Sequence, residues 1–151
     1  MLDDKHWMGV AYVESCNSSC CVVKVGTVLI DNNGEQVSRG FNKKYNCGDE
    51  HECTLDSCKR SLRGGCFYSV HAEVNAIVNA INNKVFDFNS VTLYTTLAPC
   101  LSCAKLIYRI GIRNVVYSNS YASIEHIPID EGVQFLKDMN CNVVQININE
   151  S

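Results

Sequence analysis

The spacing of apolar residues changes period along the chain, and each change marks an element. Residues 4–16 carry Trp7, Val10, Ala11, Tyr12 and Val13 as a helical apolar stripe. Val22 to Ile30 is apolar and rich in β-branched residues, Asp31-Asn32-Asn33-Gly34 is a turn sequence, and Glu35 to Phe41 returns, which predicts a hairpin. Helical periodicity resumes from His71 to Asn82, and Val91 to Thr96 reads as a strand. Cys100 to Ile110 reads as a helix stopped by Gly111. Val115 to Ser118 is a strand, Glu131 to Met139 a helix, and Val143 to Ile148 a last strand. Strand and helix alternate through this later half, which predicts an α/β layered fold with parallel pairing. Residues 42–70 follow neither period. They hold Cys47, His51, Cys53, Cys58 and Cys66, together with Gly64-Gly65. A loop of that length inside a compact domain needs some staple.

Composition adds a class. The chain has 151 residues, 46% hydrophobic and 19% charged, which fits one globular domain over 1–151 with a Cys/His-rich insertion at about 43–70. A net charge of −3 lacks the basic excess of a general nucleic-acid or membrane-surface binder. No stretch approaches the roughly 18 apolar residues of a membrane span. Met1-Leu2-Asp3-Asp4 is acidic and no apolar secretory core follows, so the expected location is the cytoplasm. Ten cysteines are many for a reducing compartment; beside histidines they point to metal before disulfides.

The chemistry-bearing stretches are "HAEVNAI" at 71–77 and "PCLSC" at 99–103. Cys100 and Cys103, spaced i, i+3 on a helix, share one face, and Pro99 suits that helix's entry. A helix N-terminus is electropositive and favours thiolate, the ligand form that zinc takes. His71 opens the other helix and supplies a third ligand. Three protein ligands leave the fourth position of a tetrahedral zinc to water, as in catalytic sites, whereas structural sites use four. Two thiolates formally cancel the ion's charge, and two helix N-termini aimed at it would offset part of that loss. Glu73 separates the two kinds of site: a structural zinc needs no carboxylate beside it, whereas a hydrolytic one needs a group to move protons. A lone CxxC is more often structural or redox, and a lone HxE says little. Together, in this order, they match the H-x-E…P-C-x-x-C signature of zinc nucleobase deaminases.

At these residues the chain resembles the zinc-dependent cytidine deaminase superfamily, and within it the deoxycytidylate (dCMP) deaminase branch with its phage and bacterial members. "SSCCVVKVGTVLI" (18–30) is similar to that branch's first strand and lead-in, "GFN" (40–42) to its Gly-Tyr-Asn, and "LYTTLAPCLSCAKLIYRIGIRNVVYSNSY" (93–121) to its later strand, helix, strand and tyrosine. The resemblance implies a three-layer α/β/α sandwich around a mixed five-stranded sheet. It implies hydrolytic deamination at C4 of a cytosine base, converting dCMP to dUMP with release of ammonia. His71, Cys100 and Cys103 would hold zinc. Glu73 would take a proton from water, then protonate N3 and the departing ammonia. The Ala72 N–H would contact the base O2 and the Ala98 carbonyl the exocyclic amine. Asn42 would bond the sugar hydroxyl, and Tyr121 would line the pocket. Homo-oligomers, often hexamers, and effector control by dCTP and dTTP are also implied.

The chain departs from the branch after Asn42, where Lys43-Lys44-Tyr45 stands in place of Gly-x-Pro. Lys43, Lys44, Lys24 and Arg109 are candidate sources of phosphate charge, each set against an ordinary solvated surface role. Some members of the branch hold a second, structural zinc. By position Cys20, Cys47, Cys53 and Cys66 would hold it here, with His51 or Cys58 as alternates to Cys53; such a site would organise a loop with no core of its own. Two alternatives stand beside dCMP deamination. One is deamination of another small cytosine-type or related substrate, such as a nucleoside, a base or a metabolite. The other is a non-catalytic zinc- or nucleotide-binding module, against which the retained Glu73 speaks.

Overall fold

The computed structural model describes residues 2–45, 54, 58–59, 61–62, 66–120 and 128–149. In chain order its elements are α1 (Asp4–Ser15), β1 (Gly26–Ile30), β2 (Gln36–Phe41), β3 (Lys43–Lys44), β4 (Ser69–Val70), α2 (Ala72–Asn82), β5 (Thr92–Leu97), α3 (Leu101–Ile110), β6 (Asn114–Asn119), α4 (Glu131–Asp138) and β7 (Asn142–Gln145). Five strands form one sheet in the order β2-β1-β5-β6-β7, and β3 and β4 form a separate ribbon. The β2/β1 and β1/β5 pairs are antiparallel; β5/β6 and β6/β7 are parallel, as the strand–helix alternation predicts.

The period of two along the strands divides the core between two faces. Leu29, Leu93 and Val115 project to one side, where they pack with Ala76, Ile77 and Ala80 of α2, Ala104 and Ile107 of α3, and Leu136 of α4. Val28, Ile30, Tyr94 and Val116 project to the other and pack with Trp7, Met8 and Ala11 of α1. The mixed sheet is therefore sandwiched between α1 and the three other helices, the three-layer arrangement expected from the family likeness. Asp3 caps α1 by accepting from the His6 N–H at 2.9 Å, and Gly111 closes α3 with φ at 112°.

Apart from one-residue shifts at element ends, α1, the first strand and the last strand differ from the sequence expectation. In α1 the buried stripe runs through Trp7, Met8 and Ala11, while Val13 is 72% exposed: Met8, not Val13, completes the i, i+4 face. The first strand starts at Gly26 rather than Val22. The Val25 N–H donates to Asn42 Oδ1 and Asn42 Nδ2 donates to the Val23 carbonyl, each at 2.9 Å, while the Asn42 N–H donates to the Val25 carbonyl at 3.3 Å, so beyond Gly26 side-chain bonds take over from the regular ladder. The last strand ends at Gln145, although Ile146 and Ile148 still pack against the α1 layer.

At the β2 edge, α2 supplies a row of side-chain bonds. Asn75, Asn79 and Asn83 lie one turn apart and donate to the carbonyls of Phe41, Arg39 and Val37 at 2.8, 2.8 and 3.4 Å. The Ser38 hydroxyl donates to the Ala76 carbonyl at 2.8 Å. These bonds fix the helix that carries His71 and Glu73 against the sheet.

Candidate metal centre

Two helix starts meet at the site. His71 is the N-cap of α2 and Cys100 the N-cap of α3, both in extended backbone, and neither side chain is used in a capping bond. Imidazole and thiol are thus left to face each other, with Cys103 one turn inside α3. His71 Nδ1 lies 3.2 Å from Cys103 Sγ and 3.5 Å from Cys100 Sγ. The three ligand atoms lie within 4.8 Å of one another, and no other group of three or more His, Cys, Asp or Glu donors is so spaced among the described residues. One imidazole and two thiols are a donor set suited to zinc, and three ligands keep a tetrahedral ion open at the fourth corner.

The thiols are poised unequally. The hydrogen bond from Cys103 pulls the Cys100 thiol down to about 4, with His71 helping. Cys103 is pushed up, first by that same contact and then by burial. Zinc held by both sulfurs would take each as thiolate. His71 is raised above its ordinary value, chiefly by its bond with Cys100.

Glu73 is the second residue of α2, in its first turn, and only 4% exposed. Burial pushes its carboxyl above the ordinary range, while the His71 charge and hydrogen bonds from Cys103 and Thr95 pull the other way. Thr95 Oγ1 lies 3.0 Å from Glu73 Oε1 and 3.1 Å from the Leu97 carbonyl, and accepts from Thr27 at 3.2 Å. Thr95 has no counterpart in the sequence reading. Its signal was a polar residue between Leu93 and Leu97 on the strand face turned toward α2.

Two glycines allow the close approach. A Cβ on Gly40 would lie 2.4 Å from the Ala76 nitrogen and 2.7 Å from the Ala72 carbonyl oxygen. A Cβ on Gly132 would lie 2.0 Å from the Pro99 oxygen and 2.7 Å from the Cys100 oxygen. Only hydrogen fits at either place, so β2 seats the start of α2 and α4 seats the start of α3.

A cleft opens beside the cluster, and Asn42, Ala72, Glu73, Ala98, Cys20 and Cys66 are among its walls. Asn42 and Ala98 are thereby brought to the metal cluster, although they come from distant parts of the chain. Asn42 is buried, with its amide already bonded to Val23 and Val25. The Ala98 N–H donates to the Asn119 carbonyl at 2.8 Å, which holds this residue of the cleft wall to the end of β6. Of the charged candidates, Lys24 and Arg109 are exposed, Lys43 is half-buried and Lys44 is buried in the β3/β4 ribbon; no Lys or Arg is among the described residues lining the cleft. Cys20 and Cys66, separated by 46 positions in the chain, share the cleft wall. Cys58 is half-buried. Cys47, His51, Cys53 and Tyr121 lie outside the described residues. Asn75, in the middle of the His71–Ile77 stretch, donates to the Phe41 and Val70 carbonyls and accepts from the Tyr45 hydroxyl at 2.9 Å.

Comparison with known proteins agrees with this geometry. The profile of the cytidine and deoxycytidylate deaminase zinc-binding region matches residues 1–119. A Drosophila melanogaster protein named "Probable deoxycytidylate deaminase" is 35% identical over 126 residues, and the aligned region covers 79% of this chain and 61% of the fly protein. The deoxycytidylate deaminase of Enterobacteria phage T4 is 33% identical over 147 residues, 74% of this chain and 75% of the phage protein. The crystal structure of dCMP deaminase from cyanophage S-TIM5 in complex with dCMP and dUMP aligns with a TM-score of 0.74 at 26% identity, covering 97% of this chain and 100% of that one. The chain therefore spans under two thirds of its fly relative and about three quarters of its T4 relative.

Proposed function

The chain belongs to the cytidine and deoxycytidylate deaminase zinc-binding family, and from that footing we propose that it hydrolyses dCMP to dUMP with release of ammonia. One observation carries the reading: a buried carboxyl, Glu73, on the same helix start as the imidazole of an imidazole–dithiol cluster, at the wall of a cleft. A binding module has no use for an acid held there.

His71, Cys100 and Cys103 would hold zinc, which supplies Lewis acidity toward water near neutral pH. Glu73 would accept one proton as water oxygen adds to C4 and pass it to N3, then take the second proton from the new C4 hydroxyl and pass it to the amine, so that the C4–N bond breaks, ammonia leaves and the C4 carbonyl forms. Burial raises its carboxyl above the ordinary range, the direction that suits one group to act as base and then as acid. Thr95 holds the carboxyl in place. The Ala72 N–H and Ala98 carbonyl are placed in the reading as contacts for the base O2 and the exocyclic amine, Asn42 as a contact for the sugar hydroxyl, and Tyr121 as part of the pocket.

The reading takes residues 1–151 as one deaminase domain with the insertion at about 43–70. It includes a second, structural zinc held by Cys20, Cys47, Cys53 and Cys66, with His51 or Cys58 as alternates; the shared cleft wall of Cys20 and Cys66 supports it. It also includes homo-oligomers, hexamers among them, with dCTP and dTTP as effectors, and a cytoplasmic setting in which the ligand thiols stay reduced. Among the described residues no helix is long and apolar enough to cross a membrane.

The test follows ammonia release from dCMP, deoxycytidine, cytosine and dCTP. The expected result is preference for dCMP, with Glu73→Ala lowering turnover by about 10²-fold or more. Turnover of dCMP that survives Glu73→Ala rejects the assigned role, and preference for another compound moves the substrate. Metal analysis should find two zinc ions per chain, one of them lost in Cys47→Ala; a single ion in both proteins removes the second site. Rates indifferent to dCTP and dTTP remove the effector role.

A further inference from the structure

Ser69 stands two residues before His71, on β4. Its hydroxyl oxygen is shielded from solvent and, among the described residues, is the buried side-chain polar atom without a hydrogen-bond partner. A hydroxyl held so is disfavoured unless a partner arrives, because folding has stripped its water and returned nothing. The residue lines the same cleft as Asn42, His71 and Glu73.

The ribbon explains the placement. Lys44 pairs with Ser69 and Lys43 with Val70, so the next step of the register sets Asn42 opposite His71. Side chains two apart along a strand share a face. Asn42, Lys44 and Ser69 therefore stand on the face of the ribbon that carries the imidazole; of these Asn42 and Ser69 line the cleft, while Lys44 is buried away from its wall.

We propose that Ser69 is a substrate-binding residue whose hydroxyl bonds the 3′-hydroxyl of the deoxyribose. The inference rests on the deaminase reading above. It turns on charge: the described cleft wall holds no Lys or Arg, and its polar members beyond the metal cluster and Glu73 are the neutral Asn42 and Ser69. A phosphate dianion calls for cations or a fork of donors. A sugar hydroxyl both donates and accepts, and a serine hydroxyl can answer either way.

The test removes one partner at a time. Wild-type protein, Ser69→Ala and Ser69→Thr are compared on dCMP and on 2′,3′-dideoxycytidine monophosphate, which lacks only the 3′-hydroxyl, with thermal unfolding checking that each variant folds. For the wild type, kcat/KM should be about tenfold lower on the dideoxy compound. Ser69→Ala should lose several-fold on dCMP and little on the dideoxy compound, so the ratio narrows and what remains is the share of Asn42; Ser69→Thr should restore it. A folded Ser69→Ala that loses equally on both compounds, or on neither, overturns the assignment while leaving the deaminase reading standing. A wild type inactive on every cytosine compound overturns both.

Discussion

At the residue scale, the reaction turns on a carboxyl whose position is set by a hydroxyl. Thr95 lies 3.0 Å from Glu73 Oε1, and Thr27 backs it at 3.2 Å. Thr95→Val keeps the shape of the side chain and removes the donor. We expect kcat to fall about tenfold with KM little changed and zinc content intact, the cost of one charge-assisted bond at a buried acid. Steady-state kinetics with dCMP beside metal analysis would settle this; an unchanged kcat would show that packing alone aims Glu73. The ligands and Glu73 were legible in the sequence because their chemistry is local: His and Glu two apart, and Cys three apart on one helix face. Thr95 was not legible, since 22 positions separate it from Glu73 and only the fold joins them. Ser69 was hidden for a different reason: a serine before a helix is ordinary, and only its buried, unpartnered oxygen distinguishes it.

At the element scale, two helix starts must be brought together, and Gly40 and Gly132 permit it. The contact at Gly132 is with backbone, the Pro99 oxygen, and backbone cannot swing aside as a side chain can. Gly132→Ala should therefore shift α4 or the start of α3, destabilise the fold by about 1–3 kcal/mol, and weaken zinc retention under chelator competition. Denaturant unfolding and a chelator titration would measure the two effects; full stability with wild-type zinc retention would show that α3 is seated by other contacts. The elements themselves were readable from periodicity, with errors at their ends. The first strand was drawn four residues too long because its apolar run says nothing of Asn42, whose amide takes the backbone groups of Val23 and Val25. The asparagines at 75, 79 and 83 were visible as a spacing of four, but their partners belong to β2, about forty positions earlier in the chain.

At the scale of the whole molecule, polar bonds tie the α1 layer to the sheet amid apolar packing: Tyr12 to Ser118 at 2.8 Å, Glu14 to Arg39 at 3.4 Å, and Asp4 to Tyr94. The Tyr94 hydroxyl donates to Asp4 Oδ1 at 2.6 Å. Burial, then the Asp4 bond and its charge, raise Tyr94 well above its ordinary value of 10.0. In the unfolded chain this phenol ionises near its ordinary value, while the folded chain still holds the proton. The folded state then binds more protons, so stability is complete below about pH 10 and declines as pH rises further, by up to about 1.4 kcal/mol per pH unit. Tyr94→Phe cannot ionise in either state. Its denaturation midpoint should start lower at neutral pH and fall less steeply than that of the wild type between about pH 9 and about pH 11. Parallel declines in the two proteins would place the alkaline loss elsewhere. The layered class and the parallel second half were legible from alternation alone. The antiparallel β1/β2 pair was legible as a hairpin from its turn sequence, whereas the insertion of β1 between β2 and β5 was not, since the likeness to the deaminase family implied only a mixed sheet.

The asparagine row along α2 reaches beyond the molecule. An outermost strand ordinarily offers its carbonyls to any extended peptide that drifts alongside, which is how soluble proteins recruit one another into fibrils. Here the acceptors of Val37, Arg39 and Phe41 are already claimed by the protein's own amides. A stray β-segment would find that border closed, and sheet growth from copy to copy would have to begin on another side.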